Sequence, residues 1–250
     1  MLQLDRSRRG VEQARYAVTV AATAAEVEEA QRLRWNVFVE EQGARPADGR
    51  HGVESDRFDP FCKHLIVRDL SVGTAVGTYR VLTAEKARKL GGFYTEQEFD
   101  LGGLAAQRDH IVEIGRSCVH PDYRSGVVIS LLWAGLAGLI IGTDARFIIG
   151  CASISMSDGG QEAVSVYAKL VEEHLAQPDF RMTPHNPLHL DRLAPDPAIK
   201  PPPLVKGYLR AGAEVAGPPA VDPDFGTADL PMLLTLDRLS PRYARHFIGA

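Results

Sequence analysis

The stretch Ile111-Val-Glu-Ile-Gly-Arg-Ser-Cys-Val-His-Pro-Asp-Tyr-Arg-Ser-Gly-Val-Val128 decides the fold. It reads as a strand carrying a carboxylate and a guanidinium, then a turn, then the start of a long apolar helix. Glu113 and Arg116 stand three residues apart, so a regular strand sends them to opposite faces. An irregularity at Gly115 would bring them nearer each other. A charged pair beside so apolar a helix costs desolvation unless it is paired or used, which makes this stretch the candidate for chemistry.

Working outward, residues 16–21 read as a first strand. Thr23 and Glu26, at capping-box spacing, open a helix over 24–41 with Val27, Ala30, Leu33, Val37 and Phe38 at helical intervals. A polar loop with Pro46, Gly49 and Gly52 fills 43–60. The runs 64–68 and 75–82 flank Ser71-Val-Gly73 as an antiparallel hairpin. A short helix is expected over 84–94, a strand over 111–119, a helix over 126–142, a strand over 146–152 and a helix over 161–176. The proline-rich segment 177–203 leads to a helix at 203–213, a strand at 228–236 and a helix at 240–247. This order predicts an α+β fold with a mixed, mostly antiparallel central sheet flanked by helices. Residues 14–176 are expected to form its core and 177–250 a C-terminal α/β extension packed on it, the two making a single integrated domain.

The chain has 250 residues, 45% hydrophobic and 24% charged, which is ordinary globular composition. A net charge of -4 argues against general nucleic-acid binding. Cys62, Cys118 and Cys151 lack CxxC spacing and fit a reducing cytoplasm. The Arg-rich start has no apolar core and is not a secretory signal. The apolar run 127–141 is short and broken by glycines, so a buried core helix is expected rather than a membrane span; peripheral contact with the inner face of a membrane stays open.

The order of elements resembles the GNAT superfamily of N-acyltransferases, in which the turn after the central strand holds the pantetheine and pyrophosphate of an acyl donor. Here that turn is Tyr123-Arg-Ser-Gly-Val-Val128. It departs from the Gln/Arg-x-x-G-x-Gly/Ala pattern at Tyr123 and Val128, which points away from coenzyme A, because a backbone N–H nest needs small residues for close approach. Arg34 with Phe38, Asp56 with Asp59, Gly77-Thr-Tyr-Arg80, and Glu113 with Arg116 are similar to the pattern of acyl-homoserine lactone synthases, which draw on acyl carrier protein; where those carry a tryptophan, this chain has Glu40-Glu-Gln-Gly43. The fuller resemblance, from Arg15 to Phe247, is to the haemolysin-like GNAT enzymes of ornithine-lipid synthesis, the L-ornithine Nα-acyltransferases. It includes Arg32-Leu-Arg-Trp-Asn-Val-Phe38, Phe58-Asp-Pro-Phe-Cys62, Gly115-Arg-Ser-Cys-Val-His-Pro-Asp-Tyr-Arg124, Gly150-Cys-Ala-Ser153, Pro203-Leu-Val-Lys-Gly-Tyr-Leu-Arg210 and Asp224-Phe-Gly-Thr-Ala-Asp229. The resemblance implies transfer of a 3-hydroxyacyl chain from acyl carrier protein to the α-amine of ornithine, with the phosphopantetheine thioester as co-substrate and no other cofactor.

Amide formation from a thioester needs a base, donors for the oxyanion and near-attack geometry. Glu113 is the candidate base, directly or through water. The candidate oxyanion donor is a backbone N–H within 117–119. Arg34, Arg80 and Arg116 are candidates for the ornithine carboxylate, and Asp56 and Asp59 either order the loop or receive the δ-ammonium. Phe38 accompanies them on the substrate side. Cys118, Val119, Arg124, Ser125 and Gly126 are the candidate donor-binding set, with Arg124 facing an acidic carrier protein. Lys200, Lys206, Arg210, Arg242 and Arg245 offer further positive charge to that carrier or to anionic lipid.

Plainer readings stand beside these. The carboxylates and arginines pair only with one another, Cys118 with His120 is core rather than a nucleophile and base, and Cys62 and Cys151 are core. His185 and His189, between prolines, make no helical metal pair, so no metal is expected. Leu131, Leu132 and Trp133 wall an acyl tunnel against 147–151, pack as plain core, or do both. Alternative functions are an N-acyl amino acid or acyl-homoserine lactone synthase with another acceptor, a coenzyme A-dependent N-acetyltransferase, and a non-catalytic lipid-binding protein. The last lacks the basic amphipathic helix it needs.

Overall fold

A computed structural model describes residues 15–46 and 50–239. The helix expected over 240–247, Arg242, Arg245 and the Arg-rich start before residue 15 lie outside the described residues. In chain order the elements are β1 (Tyr16–Val20), α1 (Ala24–Arg34), a π-helical stretch (Trp35–Glu41), β2 (Lys63–Asp69), β3 (Thr74–Thr83), α2 (Ala84–Leu90), β4 (Phe99–Asp100), β5 (Ile111–Val119), α3 (Val127–Ile140), β6 (Phe147–Ser155), α4 (Gln161–Glu173), β7 (Thr183–Pro184), α5 (Pro203–Ala211), β8 (Glu214–Val215), β9 (Ala220–Asp222) and β10 (Thr227–Thr235). The fold is α+β with mostly antiparallel pairing: β1 with β2, β2 with β3, and β10 with β6, β8 and β9, alongside the parallel pairing of β5 with β6. The chain divides into two compact units, Met1–Val81 with Gly115–Gly142, and Leu82–Ile114 with Thr143–Ala250.

In the first unit, α1 starts as its sequence dictates. Thr23 Oγ1 accepts from Glu26 N, and Glu26 Oε2 accepts from Thr23 N, so two otherwise orphaned helix-start donors are satisfied reciprocally. The expected single helix over 24–41 changes character after Arg34, where the π-helical stretch begins. The wider turn brings residues five apart together, as in the bond from Trp35 Nε1 to Glu40 Oε1 at 3.1 Å. It leaves Val37 buried and Phe38 half-buried against Leu33 and Cys118.

Helix α3 buries Val128, Leu132, Leu136 and Ile140, one residue per turn, and packs on β1 and β2. Gly135 permits the close approach: a Cβ there would lie 2.8 Å from Leu65 and 2.9 Å from Val18. Core packing on β1 and β2 therefore accounts for the apolar stripe, and the 147–151 segment expected opposite it belongs to the other unit.

In the second unit, all nine residues of β6 pair with β10, from Phe147↔Thr235 to Ser155↔Thr227. The expected C-terminal extension thus supplies a strand to β6. Ile154, Val166, Leu170, Val205, Val215 and Leu230 close a core over this pairing. The parallel pairing of β5 with β6 runs only from Ile111↔Phe147 to Glu113↔Ile149. At the next position a Cβ on Gly150 would stand 2.3 Å from the Ile114 carbonyl oxygen, so only glycine fits. Among the described residues no helix is long and apolar enough to cross a membrane.

Candidate functional site

The first unit gathers Arg34, Glu54, Asp56, Asp59, Arg80 and Arg116 into one network. Arg34 comes from the end of α1, Arg80 from β3 and Arg116 from β5, and the carboxylates from the loop between the π-helical stretch and β2. Arg34 grips Asp59 with two parallel bonds, Nη1 to Oδ1 at 3.0 Å and Nη2 to Oδ2 at 2.5 Å, and its Nε lies 2.5 Å from Glu54 Oε2. Arg80 Nη1 donates to Asp56 at 2.7 Å and to Asp59 Oδ1 at 2.8 Å. Arg116 donates from Nε to Glu54 Oε1 at 3.2 Å and from Nη2 to Asp56 Oδ2 at 3.3 Å. Three positive charges face three negative ones, so the buried network is neutral, which offsets the desolvation that a lone buried charge would suffer.

The loop is folded to serve this. Asp56 Oδ1 accepts from Phe58 N at 2.9 Å and Asp59 N at 3.2 Å, an aspartate-led turn into the short helix Asp59–Phe61. The Phe58 ring lies 5.7 Å from the Arg80 guanidinium, a cation–π contact. His64 of β2, paired in register with Arg80 of β3, contacts the Asp59 carbonyl oxygen through Nε2 at 3.0 Å. The irregularity expected at Gly115 falls one residue later, where Arg116 takes φ +49°, a left-handed conformation that a non-glycine residue adopts at a cost of about 1–3 kcal/mol.

Electrostatics follows from burial and pairing. Burial alone would raise the Asp59 and Asp56 carboxyls. The Arg34 and Arg80 guanidinium groups around Asp59, and Arg80 with Arg116 around Asp56, more than offset it and hold both below the usual carboxylate range. Burial pushes His64 below its ordinary value, so the ring is held neutral.

Exposure sorts the arginines. Arg34 and Arg80 are buried at 1% and 5%, whereas Arg116 and Asp56 keep 12% of their side-chain surface in solvent. Glu54, buried at 1%, was missed by the sequence reading. Its signal was its place two residues before Asp56 in the same loop.

Glu113 belongs to the second unit and is buried at 5%. Its Oε2 accepts from Tyr94 N at 2.8 Å and its Oε1 from Thr95 N at 2.7 Å and Thr95 Oγ1 at 2.5 Å. The carboxylate is thereby fixed in orientation by the short helix Thr95–Gln97, another partner the sequence did not announce. Nearby in this unit, Glu98, Cys151 and Asp229 bring ligand-type atoms within 4.8 Å of one another. Burial raises the Cys151 thiol well above its ordinary value.

The candidate donor turn lies in the first unit. Gly126, at φ +98°, leads into α3, whose first N–H groups have no side-chain cap. Arg124 bonds Glu41 with two parallel hydrogen bonds, at 2.6 and 2.7 Å, and donates from Nε to the Val119 carbonyl oxygen at 3.1 Å. Ser125 is exposed beside it. Cys118 packs in the core with Leu33 and Val37, and burial pushes its thiol up to about 12, which disfavours the thiolate. His120 instead caps the turn, accepting at Nδ1 from Asp122 N. Val128 is where the turn departs from the small-residue pattern. Its side chain is 1% exposed and packs over Gly77, so its bulk points into the sheet.

Residues 33–134 match the family model described as an acetyltransferase (GNAT) domain. The chain is 36% identical over 250 residues to an L-ornithine N(alpha)-acyltransferase of Brucella abortus, covering 92% of this chain and 88% of that protein. It is 33% identical to one of Rhodobacter capsulatus, covering 93% and 94%. Among solved structures, the AHL synthase LasI superposes with a TM-score of 0.53 at 13% identity, covering 94% of this chain and 95% of that one. FeeM, an N-acyl amino acid synthase from uncultured soil microbes, gives 0.53 at 12% identity, covering 90% and 94%. These two likenesses are of fold.

Proposed function

The chain belongs to the L-ornithine N(alpha)-acyltransferase family of GNAT-domain proteins, and from that premise we propose that it moves a 3-hydroxyacyl group from acyl carrier protein to the α-amine of ornithine. The observation that carries the reading is the extent of the match, which runs over nearly the whole of this chain and of those relatives. In the reaction the neutral α-amine attacks the thioester carbonyl. The C–N bond forms, the C–S bond breaks, the amine proton passes to a base, and the carrier thiolate leaves and takes up a proton. Glu113 is the base in this reading, acting directly or through a water. A carboxylate held by three donors keeps one orientation, as a proton acceptor requires.

The uncapped start of α3 after left-handed Gly126 supports a phosphate of the phosphopantetheine arm at that turn. Carrier protein rather than coenzyme A is supported by the partly exposed Arg124 on the turn, suited to an acidic partner, and by Tyr123 where the coenzyme A pattern has Gln or Arg. Action in the cytoplasm, against the inner face of the membrane, belongs to the same reading, because the product is an amphiphile.

The test supplies 3-hydroxyacyl carrier protein, the matching coenzyme A thioester and acetyl-CoA, each with ornithine and with other amino acids, and reads product mass. Acyl-ornithine formed faster from the carrier protein is the expected result. Turnover of acetyl-CoA without any acyl-ornithine overturns the reading.

A further inference from the structure

Glu54 is the one member of the buried network that the sequence motifs did not single out, and its geometry gives it two arginines at once. Its Oε2 lies 2.5 Å from Arg34 Nε and its Oε1 accepts from Arg116 Nε at 3.2 Å. Arg34 is itself immobilised, 1% exposed and locked on Asp59 by two parallel bonds. Glu54 therefore carries the rigidity of that buried pair to Arg116. Arg116 needs such support, because its backbone sits at φ +49° and its guanidinium is the most exposed of the three. Held at Nε by Glu54 and at Nη2 by Asp56, the guanidinium has one settled plane at the solvent-exposed rim of the network. A planar guanidinium of fixed orientation suits two-point recognition of a carboxylate.

We infer that Glu54 is a positioning residue for the amino-acid acceptor: through Arg116 it fixes the guanidinium that receives the acceptor's α-carboxylate. The inference rests on the acyltransferase reading above and names which end of the acceptor this network meets. Asp56, the other rim residue, is kept by Arg80 on its far side and stays beside Arg116 as the second wall of the same subsite. Arg34, Asp59 and Arg80 then act behind the rim, holding its two members in place.

The experiment uses the full chain and steady-state kinetics with both substrates varied. Wild-type formation of acyl-ornithine is read first, and its absence would refute the acyltransferase reading whatever Glu54 does. With that activity present, Glu54→Gln is expected to raise the KM for ornithine about tenfold or more while the KM for the acyl donor moves less than twofold. Glu54→Asp, which keeps the charge, should recover part of the loss. Adding Glu54→Gln to Arg116→Ala should cost little beyond Arg116→Ala alone, since the effect runs through Arg116. An unchanged ornithine KM, both KM values rising together, or additive losses in the double variant would each overturn the inference. Should Glu54→Gln fail to fold, Glu54→Asp answers the question through the same split between the two KM values.

Discussion

Gly77 of β3 and Val128 of α3 fit each other as hole and peg: a Cβ on Gly77 would lie 2.5 Å from Val128 Cγ1 and 3.2 Å from Leu132 Cδ1. The valine that departs from the small-residue pattern at the donor turn is thus taken up by a glycine on the neighbouring strand. Gly77→Ala should destabilise the protein by about 1–3 kcal/mol through overpacking, and Val128→Ala in the same chain should restore much of it. Thermal or urea unfolding of the single and double variants checks this, and strictly additive losses would contradict it.

Gly150→Ala has no such remedy. The obstacle there is the Ile114 carbonyl oxygen at 2.3 Å, which is backbone and cannot be trimmed. We expect a larger loss than for Gly77→Ala, visible as a lower unfolding midpoint, with no rescue from substitutions at side chains nearby. A midpoint within the range of Gly77→Ala would count against the close strand approach.

Position in the network should matter more than the mere presence of an ion pair. Arg34→Ala leaves Glu54 and Asp59 buried without it and should cost about 3–5 kcal/mol. Arg32→Ala breaks only the exposed pair with Glu28 and should change stability far less. Chemical denaturation of the two variants side by side is the measurement, and comparable losses would refute the contrast.

The pH dependence of stability should show two separate windows. His64 is depressed below its ordinary 6.5 in the folded state, so below that pH the unfolded chain binds the proton first; its contribution is present above 6.5 and is lost as pH falls through the folded value. Asp56 and Asp59 are depressed below their ordinary 3.8, so theirs is present above 3.8 and is lost only as pH falls further. Urea unfolding across pH 7.5 to 3, a range of about four units chosen to span both ordinary values, should lose slope in the upper window for His64→Gln and in the lower for Asp59→Asn. Identical profiles in all three proteins would exclude these groups as the source.

Glu113→Gln should lower turnover by about 100-fold or more if the carboxylate is the base. It should also cost about 1–3 kcal/mol of stability, because an amide cannot accept on both sides from Tyr94 N, Thr95 N and Thr95 Oγ1. Measuring kcat on protein shown to be folded separates the two effects, and near wild-type kcat would remove Glu113 from the chemistry.

Much of the fold was legible because its signals are local. The capping box at Thr23 and Glu26, the apolar hairpin around Ser71-Val-Gly73 and the four-residue rhythm of Val128, Leu132, Leu136 and Ile140 each arise within one element. The features that escaped depend on partners far along the chain. Nothing in Trp35-Asn-Val-Phe-Val-Glu-Glu41 announces a π-helical stretch, whose wide turns follow from how its side chains pack. Arg116 carries no mark of its left-handed backbone, which its bonds to Glu54 and Asp56 help to hold. Glu54 looked like one more loop carboxylate until two arginines reached it. The fit of Val128 to Gly77 escaped because the glycine lies 51 residues earlier.

The neutral balance of three arginines and three carboxylates also bears on how this protein can vary. Each of the six side chains has at least two partners of opposite sign or lies behind one that does, so a single exchange strands charge in the interior. A compensating pair of changes leaves the interior neutral where a single one does not. Substitutions at Arg34, Glu54, Asp56, Asp59, Arg80 and Arg116 should therefore show strong sign epistasis in folding stability, with double variants that remove one charge of each sign unfolding later than either parent, whatever their activity.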